Sequence, residues 1–123
     1  KKNNKGFSLV ELIVVVLIMG IIAVALAPQV MKWVGTARDN TDKSQKSSIK
    51  SSVQVALSEY QQAGYAIPDL SSPGVAFTSS ALASASSHLA GFIEEVVAGD
   101  YPTKNAGGTF TLYITTAGKV TVE

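Results

Sequence analysis

Residues 5–28 read KGFSLVELIVVVLIMGIIAVALAP and contain the longest apolar run in the sequence. From Phe7 to Ala27 every residue is apolar or small except Ser8 and Glu11. A helix of about 20 apolar residues is long enough to cross a bilayer. Lysines precede the run at positions 1, 2 and 5, and positive charge before such a helix predicts that this end stays in the cytoplasm. We therefore predict one membrane-spanning helix, with the C-terminus outside.

Glu11 is a lone acid at the edge of this apolar run. A carboxylate in hydrocarbon costs roughly 2.5–3.5 kcal/mol on insertion scales. Pairing with a cation lowers that cost, so Glu11 points to a cation on a neighbouring copy and to a chain that polymerises. A second interpretation is local, because Ser8 and Glu11 fit the capping-box pattern S-x-x-E, in which the acid satisfies a helix N-terminus. The two roles are compatible in different states.

The junction Gly6-Phe7, the acid Glu11, the length of the apolar run and the later Gly20 and Pro28 together resemble a known signal. It is the class III signal of type IV pilins and type II secretion pseudopilins. Members of that family have a short basic leader that ends in Gly, then Phe, then an acid early in the mature chain. The resemblance covers roughly residues 1–32, and beyond them the chain shows only a general pilin layout.

The resemblance implies a series of processing and assembly steps. A prepilin peptidase cuts between Gly6 and Phe7, and the new amine of Phe7 is N-methylated. Glu11 then neutralises the Phe7 ammonium of an adjacent subunit in an assembly salt bridge. Because each charge alone is expensive in a membrane or a fibre core, removing one partner is expected to cost more than the pair contributes.

Gly20 and Pro28 both weaken the apolar helix. Glycine lowers helix propensity, and proline lacks the amide that would continue the hydrogen-bond ladder. A bilayer still favours helix, because backbone groups there must bond internally. We predict that residues 20–28 form a helix-loosening joint, helical in the membrane and able to extend in a filament. The alternative is an ordinary kinked membrane helix.

Two other targeting interpretations apply to the same run. An ordinary secretory signal peptide would be cut after Ala27, because Ala25-Leu26-Ala27 matches the A-x-A pattern. The run is longer than the usual apolar region of such a peptide, it contains Glu11, and Pro28 would follow the cut. An uncleaved signal anchor is the other interpretation.

Helical periodicity resumes after Pro28. We expect one long helix from about residue 8 to residue 63, kinked at Pro28 and ended by Gly64. Trp33 suits either a membrane interface or packing against another surface. An apolar stripe at helical spacing is predicted to pack on the head: Ile49, Val53, Ala56, Leu57 and Tyr60.

The rest of the chain predicts a small mixed head. Residues 65–80 are rich in Ser, Pro and Gly and predict a linker, and 81–97 predict a second helix, capped by Ser79 or Ser80 and ended by Gly99. Its apolar face comprises Leu82, Leu89, Phe92, Ile93 and Val96. Residues 105–108 predict a turn. Residues 109–115 alternate as a strand does, 116–119 predict a hairpin turn, and 120–122 predict the returning strand.

The predicted fold class is therefore α+β. A long N-terminal helix packs on a small head that has a short helix and a C-terminal antiparallel sheet of two or three strands. The predicted domains are a leader at 1–6, a hydrophobic transmembrane or filament-core helix at 7–31, an amphipathic half at 32–64 and the globular head at 65–123.

Composition argues against several classes of function. The chain has no cysteine and one histidine, His88, and no spacing typical of metal ligands, so we predict no metal, no cofactor and no enzyme. Ser86-Ser87-His88 places a hydroxyl beside an imidazole, but neighbouring helical residues point apart. Glu94-Glu95 is predicted to be a solvated helix face. Losing the three leader lysines from ten basic residues leaves seven against nine acids, so no nucleic-acid binding is predicted.

These observations together predict a structural subunit of a type IV pilus, major or abundant, that forms a helical homo-oligomeric filament. Its partners would be the prepilin peptidase, the pilus assembly platform, minor pilins and, before assembly, the cytoplasmic membrane. Its final location would be an extracellular filament. One alternative is a pseudopilin of a type II secretion or DNA-uptake system. Another is a signal-anchored surface domain that never polymerises.

Overall fold

A computed structural model describes Gly6 and residues 8–105 and 107–123. The chain divides into two compact units, Lys1–Arg38 and Asp39–Glu123. One helix, α1, spans Leu9–Gln62 and supplies residues to both units. The long helix predicted from the apolar run and the later stripe is thereby confirmed.

The first unit exposes its apolar residues. Every side chain that the structure describes between positions 8 and 38 is exposed, including Leu9, Val24 and Trp33. By length and composition α1 contains a segment able to cross a membrane, and no part of that segment is buried within the chain. Gly20 and Pro28 both lie inside α1, and the helix is continuous across both positions.

The second unit has a dense apolar core to which α1 contributes one stripe. The buried residues of α1 are the five that the helical spacing predicts: Ile49, Val53, Ala56, Leu57 and Tyr60. They pack with residues from the later helices and strands in one cluster that also contains Phe77, Leu82, Leu89, Ile93, Phe110, Leu112, Ile114, Val120 and Val122.

Helix α1 ends at Gln62, and Gly64 terminates it as predicted, with a positive φ of 93°. The Gly64 N–H donates to the Gln61 carbonyl at 3.0 Å, and the Tyr65 N–H donates to the Tyr60 carbonyl at 3.3 Å. These two bonds define a Schellman motif, which often carries an apolar contact between its outermost residues. Here that contact is a stack of the Tyr60 and Tyr65 rings, with centroids 4.9 Å apart.

The single helix predicted at 81–97 is wrong, because two helices occupy this region. Helix α2 spans Ser79–Ala85 and helix α3 spans Ser87–Val97. Ser86, in an extended conformation, ends α2, and its hydroxyl accepts from the Leu89 N–H at 3.4 Å, which caps α3. Serine competes locally for backbone hydrogen bonds, and this explains the break.

The predicted caps of that region also need correction. Thr78, rather than Ser79 or Ser80, caps α2, since its hydroxyl accepts from the Ala81 N–H at 3.2 Å. Helix α3 ends at Val97, and its C-cap is Ala98 in a left-handed conformation (φ 54°), one residue before the predicted Gly99.

The predicted linker at 65–80 contains a short strand. Strand β1, Val75–Ala76, pairs antiparallel with β2, Thr111–Ile114, and β2 pairs antiparallel with β3, Val120–Val122. The sheet order is β1-β2-β3. Two residues are too few to show a period, so β1 depends on its partner strand rather than on local pattern.

The C-terminal hairpin is confirmed. Leu112 and Ile114 of β2 are buried and Thr111 and Tyr113 are only partly buried, as the alternation predicts. The turn between β2 and β3 is closed by the Gly118 N–H donating to the Thr115 carbonyl at 2.9 Å. With three helices and a three-stranded antiparallel sheet, the described part of the chain is α+β, as predicted.

Candidate functional site

The N-terminus of α1 carries a complete capping box. The Glu11 N–H donates to the Ser8 hydroxyl at 3.2 Å, and the Ser8 N–H donates to Glu11 Oε2 at 3.3 Å. The Leu12 N–H donates to the Ser8 carbonyl at 3.2 Å, which closes the first turn. Amides that have no partner within the helix are thus satisfied by two side chains, and the local interpretation of Ser8 and Glu11 is confirmed.

This geometry leaves the Glu11 carboxylate able to bind a cation. Only Oε2 takes part in the capping box, its bond to Ser8 is long, and the side chain is exposed. An ionised carboxylate offers about four acceptor positions on two oxygens. Acidic charge also suits the first turn of a helix, where the macrodipole is positive. The site can therefore cap its own helix and accept an external ammonium.

Gly6, on the leader side of the predicted cleavage site, precedes this turn. It is exposed, and beyond its chain neighbours no described atom lies within 4 Å of the position that a Cβ would occupy there. Phe7, the predicted site of N-methylation and the predicted partner of Glu11, lies outside the described residues, as do leader residues 1–5. Cleavage, methylation and the Phe7–Glu11 pair stay predictions.

Gly20 and Pro28 lie further along the exposed apolar part of α1. Beyond its chain neighbours and its own helix backbone, no described atom lies within 4 Å of a Cβ placed at Gly20, so no described residue packs there. Since the helix is continuous through both residues, the described conformation is the helical one of the two that the joint hypothesis requires. A loosened conformation stays a prediction.

Within the stretch Ser86-Ser87-His88, the Ser86 hydroxyl and the His88 imidazole have separate structural roles. The Ser86 hydroxyl caps α3, whereas the His88 ring lies 4.9 Å from the Tyr65 ring, centroid to centroid. Among residues 8–105 and 107–123, no group of three His, Cys, Asp or Glu side chains could hold a metal ion.

Two hydrogen bonds between one pair of residues in the second unit were not predicted from the sequence. Asp42 on α1 accepts two hydrogen bonds from Asn105, one from its backbone N–H and one from its side-chain amide, both at 3.1 Å. Asn105 lies in the predicted turn, which the Thr103–Thr109 bridge closes. No local signal indicates such a pair, because the two residues are far apart in sequence.

Comparison with known proteins gives one match. Residues 1–27 match the family model described as the prokaryotic N-terminal methylation motif. This motif is the class III signal of type IV pilins and pseudopilins. No curated protein and no solved structure matches the chain.

The motif supports a type IV pilin-like or pseudopilin protein, a structural rather than an enzymatic family. It implies processing by a peptidase and assembly into a pilus-like structure. Together with the apolar segment of α1, it supports anchoring in a membrane before assembly.

Proposed function

We propose that the chain is a major or abundant structural subunit of a type IV pilus and is not an enzyme. The observation that carries the proposal is the N-terminal methylation motif at residues 1–27, which extends into a helix whose apolar segment no described residue covers. Apolar side chains gain free energy only when something removes them from water. Lipid does this before assembly, and other copies of the helix do it in a filament.

The proposed pathway begins at the cytoplasmic side of the membrane. A prepilin peptidase removes the leader, residues 1–6, and the new amine of Phe7 is methylated. The hydrophobic helix, 7–31, spans the membrane and later forms the filament core. The amphipathic half, 32–64, and the head, 65–123, lie outside the membrane and then on the filament surface.

Glu11 is proposed to select the incoming subunit. Its exposed carboxylate pairs with the Phe7 ammonium of the neighbouring copy, while its backbone N–H keeps the bond to the Ser8 hydroxyl. Where the surrounding side chains are as apolar as those of Leu12 and Leu17, an ammonium without its anion is strongly unfavourable. A subunit that lacks the acid should therefore be rejected. Gly20 and Pro28 then allow the helix to loosen as it packs.

Intact mass and N-terminal sequencing of protein from cells test the processing steps. We expect a chain that begins at Phe7 and carries one additional methyl group. A chain that begins at Pro28 would indicate a secreted domain and would overturn the proposal. A chain that keeps its lysine-rich leader and remains dispersed in the membrane would indicate a signal-anchored domain, with the same consequence.

A pair of substitutions separates the charge of Glu11 from its capping role. Glu11→Gln keeps a side chain that suits the capping box but removes the anion, and Ser8→Ala removes the cap but keeps the anion. We expect Glu11→Gln to lower the amount of sheared filaments about a hundredfold or more, because it leaves a buried ammonium unpaired. Ser8→Ala should lower it only a few-fold, since a lost cap costs about 1 kcal/mol. The reverse order would leave Glu11 with a capping role only.

Electron microscopy of the cell surface separates a pilus from a pseudopilus. Long surface fibres that contain this chain support the pilus. Short or absent fibres, together with loss of secretion or DNA uptake when the chain is deleted, support a pseudopilin. The motif at residues 1–27 fits both machines.

A further inference from the structure

Charge is segregated along the second unit. Its lysines occupy positions 43, 46, 50, 104 and 119, and it contains no arginine. The intervening residues, 51–103, contain five acids and no lysine or arginine. Lysines and acids on a mixed surface would alternate along the chain, whereas here they are separated.

The fold gathers these lysines on one side. Lys43, Lys46 and Lys104 line an open depression of about 300 Å³. Lys46 also lines a second one of about 210 Å³ with Lys50 and Lys119. Because the two depressions share Lys46, they adjoin, and we call this surface the lysine face.

Two acids reduce the positive charge of the lysine face without cancelling it. Asp39 and Asp42 line the first depression. Asp42 Oδ1 already accepts two hydrogen bonds from Asn105, so it is engaged in holding the turn. Five lysines against two aspartates leave the face positive.

The opposite charge collects at the end of α3. Glu94 and Glu95 lie in its last turn, Asp100 follows shortly after, and all three side chains are exposed. We call these three residues the acidic end. The Tyr101 hydroxyl donates to Glu94 Oε2 and so fixes one of the carboxylates in place. Negative charge at a helix C-terminus is unfavourable, because the macrodipole there is also negative. The last turn of α3 has no basic residue to offset it, so a cation from elsewhere would stabilise this end.

The lysine face and the acidic end flank opposite sides of α1. Successive helical residues turn by about 100°, which places Lys46 and Lys50 on one side of the buried stripe of Ile49 and Val53. The same rotation places Ser48 and Ser52 on the other side. Contacts agree with this placement, since the first pair lies beside β3 and the second pair lines a depression with Val96, Val97 and Asp100.

We propose that the lysine face of one copy docks on the acidic end of the next copy. Complementary patches on opposite flanks make a heterologous contact, in which each subunit uses a different surface toward each neighbour. Such contacts propagate into rings or helical filaments instead of closing as dimers. This inference rests on the proposed function and adds to it the head surfaces through which subunits meet.

A second copy suits the lysine face better than a nucleic acid does. Five lysines less two aspartates give the face a net charge of about +3, which three carboxylates balance and a long polyanion exceeds. The mature chain, with seven basic side chains against nine acids, would also repel a polyanion at long range. The acidic end supplies three carboxylates close together. Because every copy carries both surfaces, each lysine face has one acidic end available to it.

A charge-swap experiment with the full chain tests the docking. The lysine variant is Lys46→Glu with Lys50→Glu, the acid variant is Glu95→Lys with Asp100→Lys, and the swap variant combines all four. A matched control, Lys46→Arg with Lys50→Arg, keeps the charge. Each variant is expressed in a bacterium that assembles type IV filaments, and sheared filaments are quantified. We expect the lysine variant and the acid variant each to lower the yield about tenfold, and the swap variant and the control to approach wild type.

The outcomes separate the docking from the proposed function. If wild type forms no filaments, the proposed function fails and the docking fails with it. If wild type and all variants form filaments equally, the docking alone is overturned. If the swap variant stays as low as the lysine variant, the two surfaces do not pair and the docking is likewise overturned. A further probe, random-sequence double-stranded DNA, is added to the filaments. Retention by wild type and loss in a lysine variant with normal filaments would replace the docking with a polyanion surface.

Discussion

Two stretches of α1 are made of the same aliphatic residues but differ in what covers them. In the first unit Leu17 is 61% exposed and Ile22 is 50% exposed, whereas in the second Ile49 and Val53 are 2% and 0% exposed. The second stretch is satisfied by the chain's own strands and helices. No described residue covers the first, which under the proposed function is covered by lipid or by other copies of the helix. One helix therefore contributes a stripe to a core that the chain completes itself and also an apolar surface that no described residue covers.

The strongest test of this contrast truncates one leucine in each stretch of the chain. Leu112→Ala removes a fully buried side chain from β2 and should lower the free energy of unfolding of the second unit by about 2–5 kcal/mol. Leu17→Ala should leave that free energy unchanged. All four tyrosines lie in the second unit, so denaturant unfolding of detergent-solubilised protein, followed by near-ultraviolet circular dichroism, measures it. Equal effects of the two substitutions would show that the two stretches do not differ in what covers them.

A close approach beside the sheet of the second unit gives the next largest effect. A Cβ on Gly74 would lie 2.5 Å from Tyr113 Cε1 and 2.8 Å from Thr111 Cγ2. Gly74→Ala should therefore displace the Tyr113 ring and destabilise the second unit by about 1–3 kcal/mol. Gly20→Ala, where the surrounding space is open, is the matched control in the first unit and should not change the same unfolding curve. A neutral Gly74→Ala would show that the ring moves aside at no cost.

Filling an open position in α3 should stabilise the second unit instead of destabilising it. Gly91 lies within α3, and apart from its chain neighbours and the adjacent helix backbone no described atom lies within 4 Å of a Cβ placed there. Alanine is the better helix former, so Gly91→Ala should raise the free energy of unfolding by about 0.5–1 kcal/mol. Thermal unfolding measures the gain, and a loss would mean that packing at this position is tighter than described.

The smallest effect concerns a pH dependence in the second unit. Partial burial, helped by the Glu94 carboxylate, raises the pKa of Tyr101 to about 12. Because the pKa of Tyr101 is higher in the folded than in the unfolded state, its contribution to the free energy of unfolding is complete below pH 10. That contribution is lost as the pH rises from 10 toward 12. Wild type should therefore lose thermal stability across that window. Tyr101→Phe should lose less, by a fraction of 1 kcal/mol, because exposed polar pairs contribute little. Parallel curves for the two proteins would contradict this.

Periodic features of the chain were predictable from sequence, because one face of each element is buried. The five-residue stripe of α1 and the alternation of Leu112 and Ile114 both follow from that rule. The Schellman end at Gly64 was equally accessible, since glycine favours a positive φ there. The capping box at Ser8 and Glu11 was visible as a four-residue pattern.

The errors arise where local patterns compete or where pairing is distant. Thr78 and Ser86 sit in a run of serines and threonines in which several residues could cap, and only packing selects among them. Strand β1 is defined by its pairing with β2, and Asp42 finds Asn105 across the fold. The charge segregation was present in the sequence, but its meaning required the placement of the lysines on one side of α1.

The lysine-free stretch at residues 51–103 has a consequence for protease resistance. Trypsin cuts after lysine and arginine, so within the second unit it can act only at the five residues of the lysine face. Among them Lys119 adjoins an exposed hairpin turn, the kind of segment where cleavage usually starts. If neighbouring heads cover that face, joining a fibre also shields the vulnerable bonds, and subunits left unassembled would be digested first.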